Sequence, residues 1–306
     1  MKLRVAITGG HGRLGRFVTA ALAAIHDVRV LDQTGGPTPP GVESRVVDVR
    51  DLAAVQAALE GIEAVVHLAA IDRSVPAPDE DVFRTNVLGT WNVMYASELA
   101  GVRRVLLCSS TAASGLDHSN PKMPPLYLPV DEAHALRPAD AYGLSKRLGE
   151  AIAEAFVQRG RLEVLALRPA FIAFPESLGF MRGGGTMGGD RSEPLPYLRA
   201  YVSPEDCARA FLAALELHPY RGFEAFYITA DDSFAEEPTV RRLETLYGAT
   251  IAVRDTELYR HAPRASVFSN GRAKERLGWR PGTRWEARAG LRPDPPGAEP
   301  LDLKTK

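Results

Sequence analysis

The sequence predicts an α/β protein: a doubly wound parallel sheet, the Rossmann arrangement, with a small α/β cap toward its C-terminal end. Three observations carry this expectation. Short β-branched runs alternate with longer helical patterns through the first two-thirds of the chain. Most of those runs are apolar on both faces, as strands covered by helices on either side must be. A glycine-spaced turn joins the first run to the first helix.

The strand-like runs are LRVAIT (3–8), DVRVLD (27–32), SRVVDV (44–49), EAVVHLAA (63–70), RRVLLCSS (103–110) and LEVLALRP (162–169). Helical patterns fall between them at 14–25, 52–59, 82–100 and 142–159. That rhythm is a series of right-handed βαβ units. After Arg168-Pro169 it breaks, because PESLGFMRGGGTMGGD (175–190) is glycine-rich and has no period, which predicts a loop. A helix at 204–217, a strand at 225–229 and a helix at 238–247 follow. SNGRAKERLGW (269–279) then has the Ser/Asn start and Gly stop of a short helix. The reading divides the chain into a dinucleotide-binding domain over 1–170, a substrate region over 171–290 interleaved with the last strands, and a proline-rich, disordered tail over 291–306.

Bulk properties narrow the function classes. A chain of 306 residues buries a core without disulfide or metal staples. Its net charge of −1 provides no basic footprint for nucleic acid or an anionic membrane. Cys108 and Cys207 form neither a disulfide framework nor a metal-type spacing, as expected in a reducing cytoplasm, and no metal is expected. The first apolar stretch is too short for a secretory signal and leads directly into glycines.

In ITGGHGRLG, Gly9, Gly12 and Gly15 sit between an apolar strand and an amphipathic helix. Glycines at this spacing allow a tight turn, close approach of backbone to a pyrophosphate, and packing of helix on strand. The phosphate would rest on the free N–H groups and positive dipole of the helix start. Asp32 closes the second strand about twenty residues on, where an acid can accept hydrogen bonds from the adenosine ribose. Its charge would repel a 2′-phosphate, which favours NAD over NADP; the alternative is an Asp that caps a turn. Asp48 is open between an adenine contact and a cap for the next helix. In AYGLSKRLGEA (141–151), Tyr142 and Lys146 lie four apart and so share one helix face, a pairing that is common on solvated helices.

TGGHGRLG, VLD, DVRD, HLAA, NVLGTWNV, CSS and YGLSK, in this order and spacing, resemble the extended short-chain dehydrogenase/reductase superfamily, in its NAD-dependent epimerase/dehydratase branch, over roughly residues 3–170. RAKERLGWRPGTRW near the end resembles the C-terminal signature of the same branch. The resemblance implies that Tyr142 is the general acid/base. Lys146 then draws the phenol toward its anion and holds the nicotinamide ribose. Ser110, with Thr111 as nearest rival, binds the substrate oxygen, and Asn86 braces the site. The implied cofactor contacts are Gly9, Gly12, Arg13, Leu14, Gly15, Asp32, Asp48, Val49, Leu68, Ala69 and Ala70, with Tyr142 and Lys146. His67 is expected to be structural.

The implied chemistry is NAD-dependent hydride transfer at a secondary alcohol or ketone of a sugar-like substrate, by a dehydrogenase or an epimerase. Dehydration is disfavoured because no acid follows Ser110. The short region after Arg168 is similar in size to that of sugar-acid dehydrogenases, although the SSN variant associated with uronate dehydrogenases is absent. A UDP-sugar 4-epimerase and a non-catalytic dinucleotide sensor are the alternatives. Thr111, Arg168 and Arg182 are candidate substrate contacts; Arg168 is equally a candidate structural ion pair. Helices at 82–100 and 142–159 would form a homodimer interface.

Overall fold

The computed structural model describes residues 2–116, 123–182 and 196–285. The chain opens with β1 (Arg4–Thr8), α1 (Arg13–Ala23), β2 (Asp27–Asp32) and β3 (Glu43–Val46). It continues through α2 (Leu52–Ala58), β4 (Ala64–His67), α3 (Asp79–Val82), α4 (Gly89–Ala100), β5 (Arg104–Cys108), α5 (Ala141–Gln158) and β6 (Glu163–Pro169). Next come β7 (Phe171–Ile172), α6 (Leu178–Arg182), β8 (Tyr201–Val202), α7 (Pro204–Glu216), β9 (Phe223–Ile228), α8 (Thr239–Tyr247), α9 (Thr256–His261) and α10 (Gly271–Arg276). Seven strands pair in parallel in the order β3-β2-β1-β4-β5-β6-β9, and β7 and β8 form a separate parallel pair. The order of connection reverses between β1 and β4, which leaves a crevice beyond their C-terminal ends.

Both faces of the sheet are covered. On one, Val18 and Leu22 of α1 pack with Phe211 and Leu215 of α7 and with Trp279. On the other, Val55, Val93, Met94 and Phe156 of α2, α4 and α5 fill the core. Burial at this scale is the main stabilising term, about 25 cal/mol for each Å² of apolar surface removed from water. A further cluster joins Leu128, Val130, Leu243 and Phe268 to Tyr227 on β9. Residues 204–228 thus return to the seven-stranded sheet, with α7 packed on one face and β9 paired with β6.

Four local expectations change. The third strand ends at Val46 rather than Val49, and all four of its residues are exposed. It is the edge strand, so no second sheet neighbour shields it, and the apolar residues of SRVVDV enter the core only beyond it, at Val47 and Val49. The helix expected at 82–100 is interrupted by a π-helical turn, Phe83–Leu88. The last short helix spans Gly271–Arg276 only, with Asn270 before it. Helix α9 has no counterpart in the pattern reading because its six residues bury one side chain, Tyr259; Asp255 caps it by accepting from Leu258 N at 2.9 Å. The expected tail (291–306) lies outside the described residues, as does 183–195, which contains the end of the glycine-rich run. No helix among the described residues is long and apolar enough to cross a membrane.

Candidate active site

The turn after β1 is built by backbone contacts that only glycine permits. Gly9 has φ +70°, and a Cβ there would stand 2.7 Å from Ala69 N in the segment after β4. At Gly15 a Cβ would land on the carbonyl oxygen of Gly9. The turn and the post-β4 segment therefore meet at backbone distance just where they leave β1 and β4, at the floor of the crevice. Gly12 is the N-cap of α1 and no side chain caps that helix, which leaves its first-turn N–H groups without a side-chain acceptor among the described residues. Leu68 N donates to Thr8 O at 3.1 Å and Ala69 N to Thr8 Oγ1 at 3.3 Å, which holds Leu68, Ala69 and Ala70 along the crevice wall.

Asp32 is half-buried at the end of β2. Its Oδ2 accepts from His11 N (3.0 Å) and its Oδ1 from Thr34 N (3.2 Å), so it braces the glycine turn and also caps the turn that follows β2. Asp48 is bonded to Arg50, with Arg50 Nη2 2.6 Å from its Oδ2. The Arg50 contacts, foremost its side-chain hydrogen bonds, hold the Asp48 carboxyl below the usual range against the opposing pull of burial. The cap of α2 is Asp51, whose Oδ1 accepts from Ala54 N at 3.1 Å, so that role falls to the later of the two acids. Val49 is buried against Gly89.

Helix α5 starts where Asp140 Oδ1 accepts from Gly143 N at 3.0 Å. Tyr142 and Lys146 share its face, with Lys146 Nζ 5.6 Å from the Tyr142 ring centroid. Lys146 is buried and donates to the Cys108 carbonyl at 2.9 Å. Burial pulls its ammonium below the ordinary lysine range, opposed by Cys108, Asp72 and Glu150. Two residues along the chain from Cys108, Ser110 is buried and opens a short 3₁₀ turn, its Oγ accepting from Ala112 N at 3.1 Å. Thr111 is buried, and its hydroxyl has no hydrogen-bond partner among the described residues. Tyr142, Lys146, Ser110 and Thr111 are thus carried by two adjoining elements, the end of β5 and the start of α5.

Asn86 lies in the π-helical turn. Its Oδ1 accepts from Ile71 N (2.8 Å), and its Nδ2 donates to Ile71 O (3.0 Å) and to Ser145 Oγ (3.0 Å). Ser145 Oγ in turn donates to Tyr142 O at 2.7 Å. One amide therefore ties the crevice wall to the helix that carries Tyr142. His67 is buried between Thr8 Oγ1 (2.7 Å) and Thr90 Oγ1 (3.0 Å). Burial, then the Lys146 charge, push its imidazole down to about 3, so it is neutral at ordinary pH. His67, Ala70, Asn86, Cys108, Ser145 and Lys146 line one cavity of about 10 Å³, room for about one water.

Arg168 is bound into the fold by two of its guanidinium nitrogens, while its buried Nη1 has no hydrogen-bond partner among the described residues. Its Nε and Nη2 donate to the two oxygens of Glu150, at 2.8 and 2.6 Å, and both residues are buried. Glu150 Oε1 also accepts from Ser109 Oγ at 2.5 Å. This bidentate pair joins α5, β5 and β6 behind the site, which leaves the structural reading of Arg168 the better supported of the two. Arg182 ends α6, and its side chain lies outside the described residues. The pattern reading did not single out Glu150, although Tyr142, Lys146 and Glu150 repeat every four residues on one face and were legible as such. Thr8, Thr90 and Ser145 carry no sequence signal, since their partners are distant in the chain. Among the described residues no group of His, Cys, Asp and Glu could hold a metal ion.

A family model for the NAD dependent epimerase/dehydratase family matches residues 5–176. The L-arabinose 1-dehydrogenase (NAD(P)(+)) of Haloferax volcanii is 33% identical over 223 residues, covering 70% of this chain and 82% of that protein. A uronate dehydrogenase of Pseudomonas syringae pv. tomato is 30% identical over 176 residues, covering 56% of this chain and 60% of that protein. Among solved structures, a short-chain dehydrogenase/reductase superfamily protein of Agrobacterium tumefaciens with bound NAD superimposes with a TM-score of 0.69, at 26% identity, over 94% of this chain and 95% of that one.

Proposed function

The chain belongs to the NAD-dependent epimerase/dehydratase family, and from that premise we propose that it is an NAD-dependent sugar dehydrogenase, oxidising a secondary carbinol of a sugar with Tyr142 as the general base. The cradle fits the dinucleotide. Side chains at Gly9 or Gly15 would fill it, and the uncapped start of α1 offers N–H groups to a pyrophosphate. Gly9, Gly12, Arg13, Leu14 and Gly15 would hold that group. Asp32 and Asp48 with Val49 would take the adenosine end, and Leu68, Ala69 and Ala70 would flank the path toward Tyr142 and Lys146. When bound, NAD supplies the acceptor for the hydride.

The observation that carries the reading is the shared face of Tyr142 and Lys146, with Lys146 fixed to the Cys108 carbonyl beside Ser110. Ser110 orients the carbinol oxygen by a hydrogen bond. Tyr142 takes the carbinol proton as the carbon gives up its hydride, and the ammonium of Lys146 favours the phenolate that accepts it. Asn86 and the Glu150–Arg168 pair keep the two elements in register. Thr111 is the further candidate for a substrate contact, its buried hydroxyl facing no partner among the described residues.

Similarity to the arabinose and uronate dehydrogenases supports a dehydrogenase acting on a free sugar or sugar acid. The family's own description names epimerases, which keeps an epimerase as the second reading. The test is a panel of aldoses, uronates and UDP-sugars with NAD, followed by NADH absorbance. NADH accumulating with a free sugar supports the dehydrogenase. No NADH with any sugar, together with NAD released from the purified protein on denaturation, supports the epimerase. A homodimer through α4 and α5 is part of the proposal, since Leu88, Trp91 and Leu99 are exposed on that side. Sedimentation tests it.

A further inference from the structure

The two walls of the crevice are joined by a side chain that crosses from one to the other. Arg13 is the first residue of α1, on the β1 side; Asp72 and Ser74 lie in the segment after β4, on the other. Arg13 Nη2 is 3.0 Å from Asp72 Oδ2 and 2.8 Å from Ser74 Oγ. Its guanidinium carbon also rests 4.9 Å from the ring centroid of Phe174, which follows β7. Phe174 in turn packs against Phe17 of α1, with centroids 6.2 Å apart. Three separate stretches of chain therefore meet on one guanidinium at the mouth of the crevice.

Asp72 is prepared for this contact. Its Oδ1 accepts from Ser74 N at 2.7 Å and from the Ser74 hydroxyl, a local turn that points the second oxygen at Arg13. Burial pushes its carboxyl up, but the Ser74 bonds and Arg13 outweigh that and hold it below the ordinary range, so it stays charged.

We infer that Arg13, held by Asp72, Ser74 and Phe174, is a strap across the dinucleotide crevice that sets how fast the nicotinamide dinucleotide leaves. The inference rests on the reading of this crevice as the NAD site. β1 and β4 are the adjacent strands where the connection order reverses, and a ligand there lies between the glycine turn and the post-β4 segment. A link between those two walls must part, or bend aside, for a dinucleotide to pass. The ion pair is about half exposed on both sides and alone contributes little. The serine bond and the aromatic face add to it, and all three contacts must be broken together.

A plain alternative is that Arg13 serves only as a direct ligand of the pyrophosphate, with Asp72 its resting partner. The two ideas predict opposite effects of Asp72→Asn. Releasing Arg13 from Asp72 would make it a better pyrophosphate ligand and slow release, whereas cutting a strap speeds release. Stopped-flow displacement of NADH from the full chain, followed by NADH fluorescence, reads this rate without any sugar. The strap predicts that Asp72→Asn and Arg13→Met each speed NADH release several-fold to about tenfold, and Ser74→Ala by less. Asp72→Asn combined with Arg13→Met should be no faster than the faster single variant, because both cut the same link. Added salt should speed release from the wild type more than from Asp72→Asn. Release that is slowed or unchanged in Asp72→Asn overturns the strap while leaving the NAD site intact. Failure of the wild type to bind NADH at all overturns the reading of the crevice itself.

Discussion

His67→Gln tests whether the buried imidazole beside Lys146 is held neutral. Folded, burial and then the Lys146 charge keep it near about 3, against 6.5 for an ordinary histidine. As pH falls through 6.5 the unfolded chain takes up this proton and the folded chain does not, so folding stability declines until about pH 3. Each pH unit inside that window costs about 1.4 kcal/mol. Between about pH 7 and about pH 5 the imidazole therefore removes about 2 kcal/mol of stability. Burial also lowers His26 and His134, but both are present in either protein and cancel in the comparison. Glutamine offers an amide to Thr8 and Thr90 and carries no titration. Urea unfolding of both proteins at the two pH values is the assay. The variant should be less stable near neutrality yet lose about 2 kcal/mol less than wild type on acidification. Equal losses in the two proteins would refute the claim that His67 is kept neutral.

Gly15→Ala puts a methyl group onto the Gly9 carbonyl, so NADH affinity should fall by more than about tenfold with the circular dichroism of the fold kept. Glu150→Ala leaves the Arg168 guanidinium buried without its carboxylate and should cost about 3–5 kcal/mol in denaturant unfolding, with Glu150→Gln costing less. Asn86→Leu removes three hydrogen bonds and strands the Ile71 backbone. Stability should drop by about 2–3 kcal/mol, and NADH affinity should drop with it, because the crevice wall loses its tie to α5.

The sheet is legible because parallel strands covered on both faces carry unbroken apolar runs, as at 5–7, 64–66, 105–107 and 164–167, whereas β2 shows only alternation, interrupted by Arg29. β3 misled the pattern since an edge strand escapes that constraint, and its valines bury only after it ends. The glycine turn is legible for a steric reason: Gly15 and Gly9 occupy space where no side chain fits. Tyr142, Lys146 and Ser110 were placed by motif order, and they fall on adjoining ends of α5 and β5. Their supports were not legible. Asn86 reaches Ile71 and Ser145, His67 reaches Thr8 and Thr90, and Arg13 reaches Asp72 across large gaps in sequence. Such pairings follow from how crossovers stack, and no local pattern encodes them. From sequence alone Arg168 is open between substrate and structure. Glu150, one turn past Lys146, was the unread partner that weighs toward structure.

The proton-and-hydride account is tested most directly by isotope transfer. A sugar from the panel, deuterated at its reacting carbinol carbon, is mixed with NAD and enzyme in excess, quenched in base within one turnover, and the NADH analysed by mass. The account predicts deuterium in the NADH formed by the wild type. Tyr142→Phe should form none while still binding NADH. Deuterium transfer by Tyr142→Phe at the wild-type rate would contradict it.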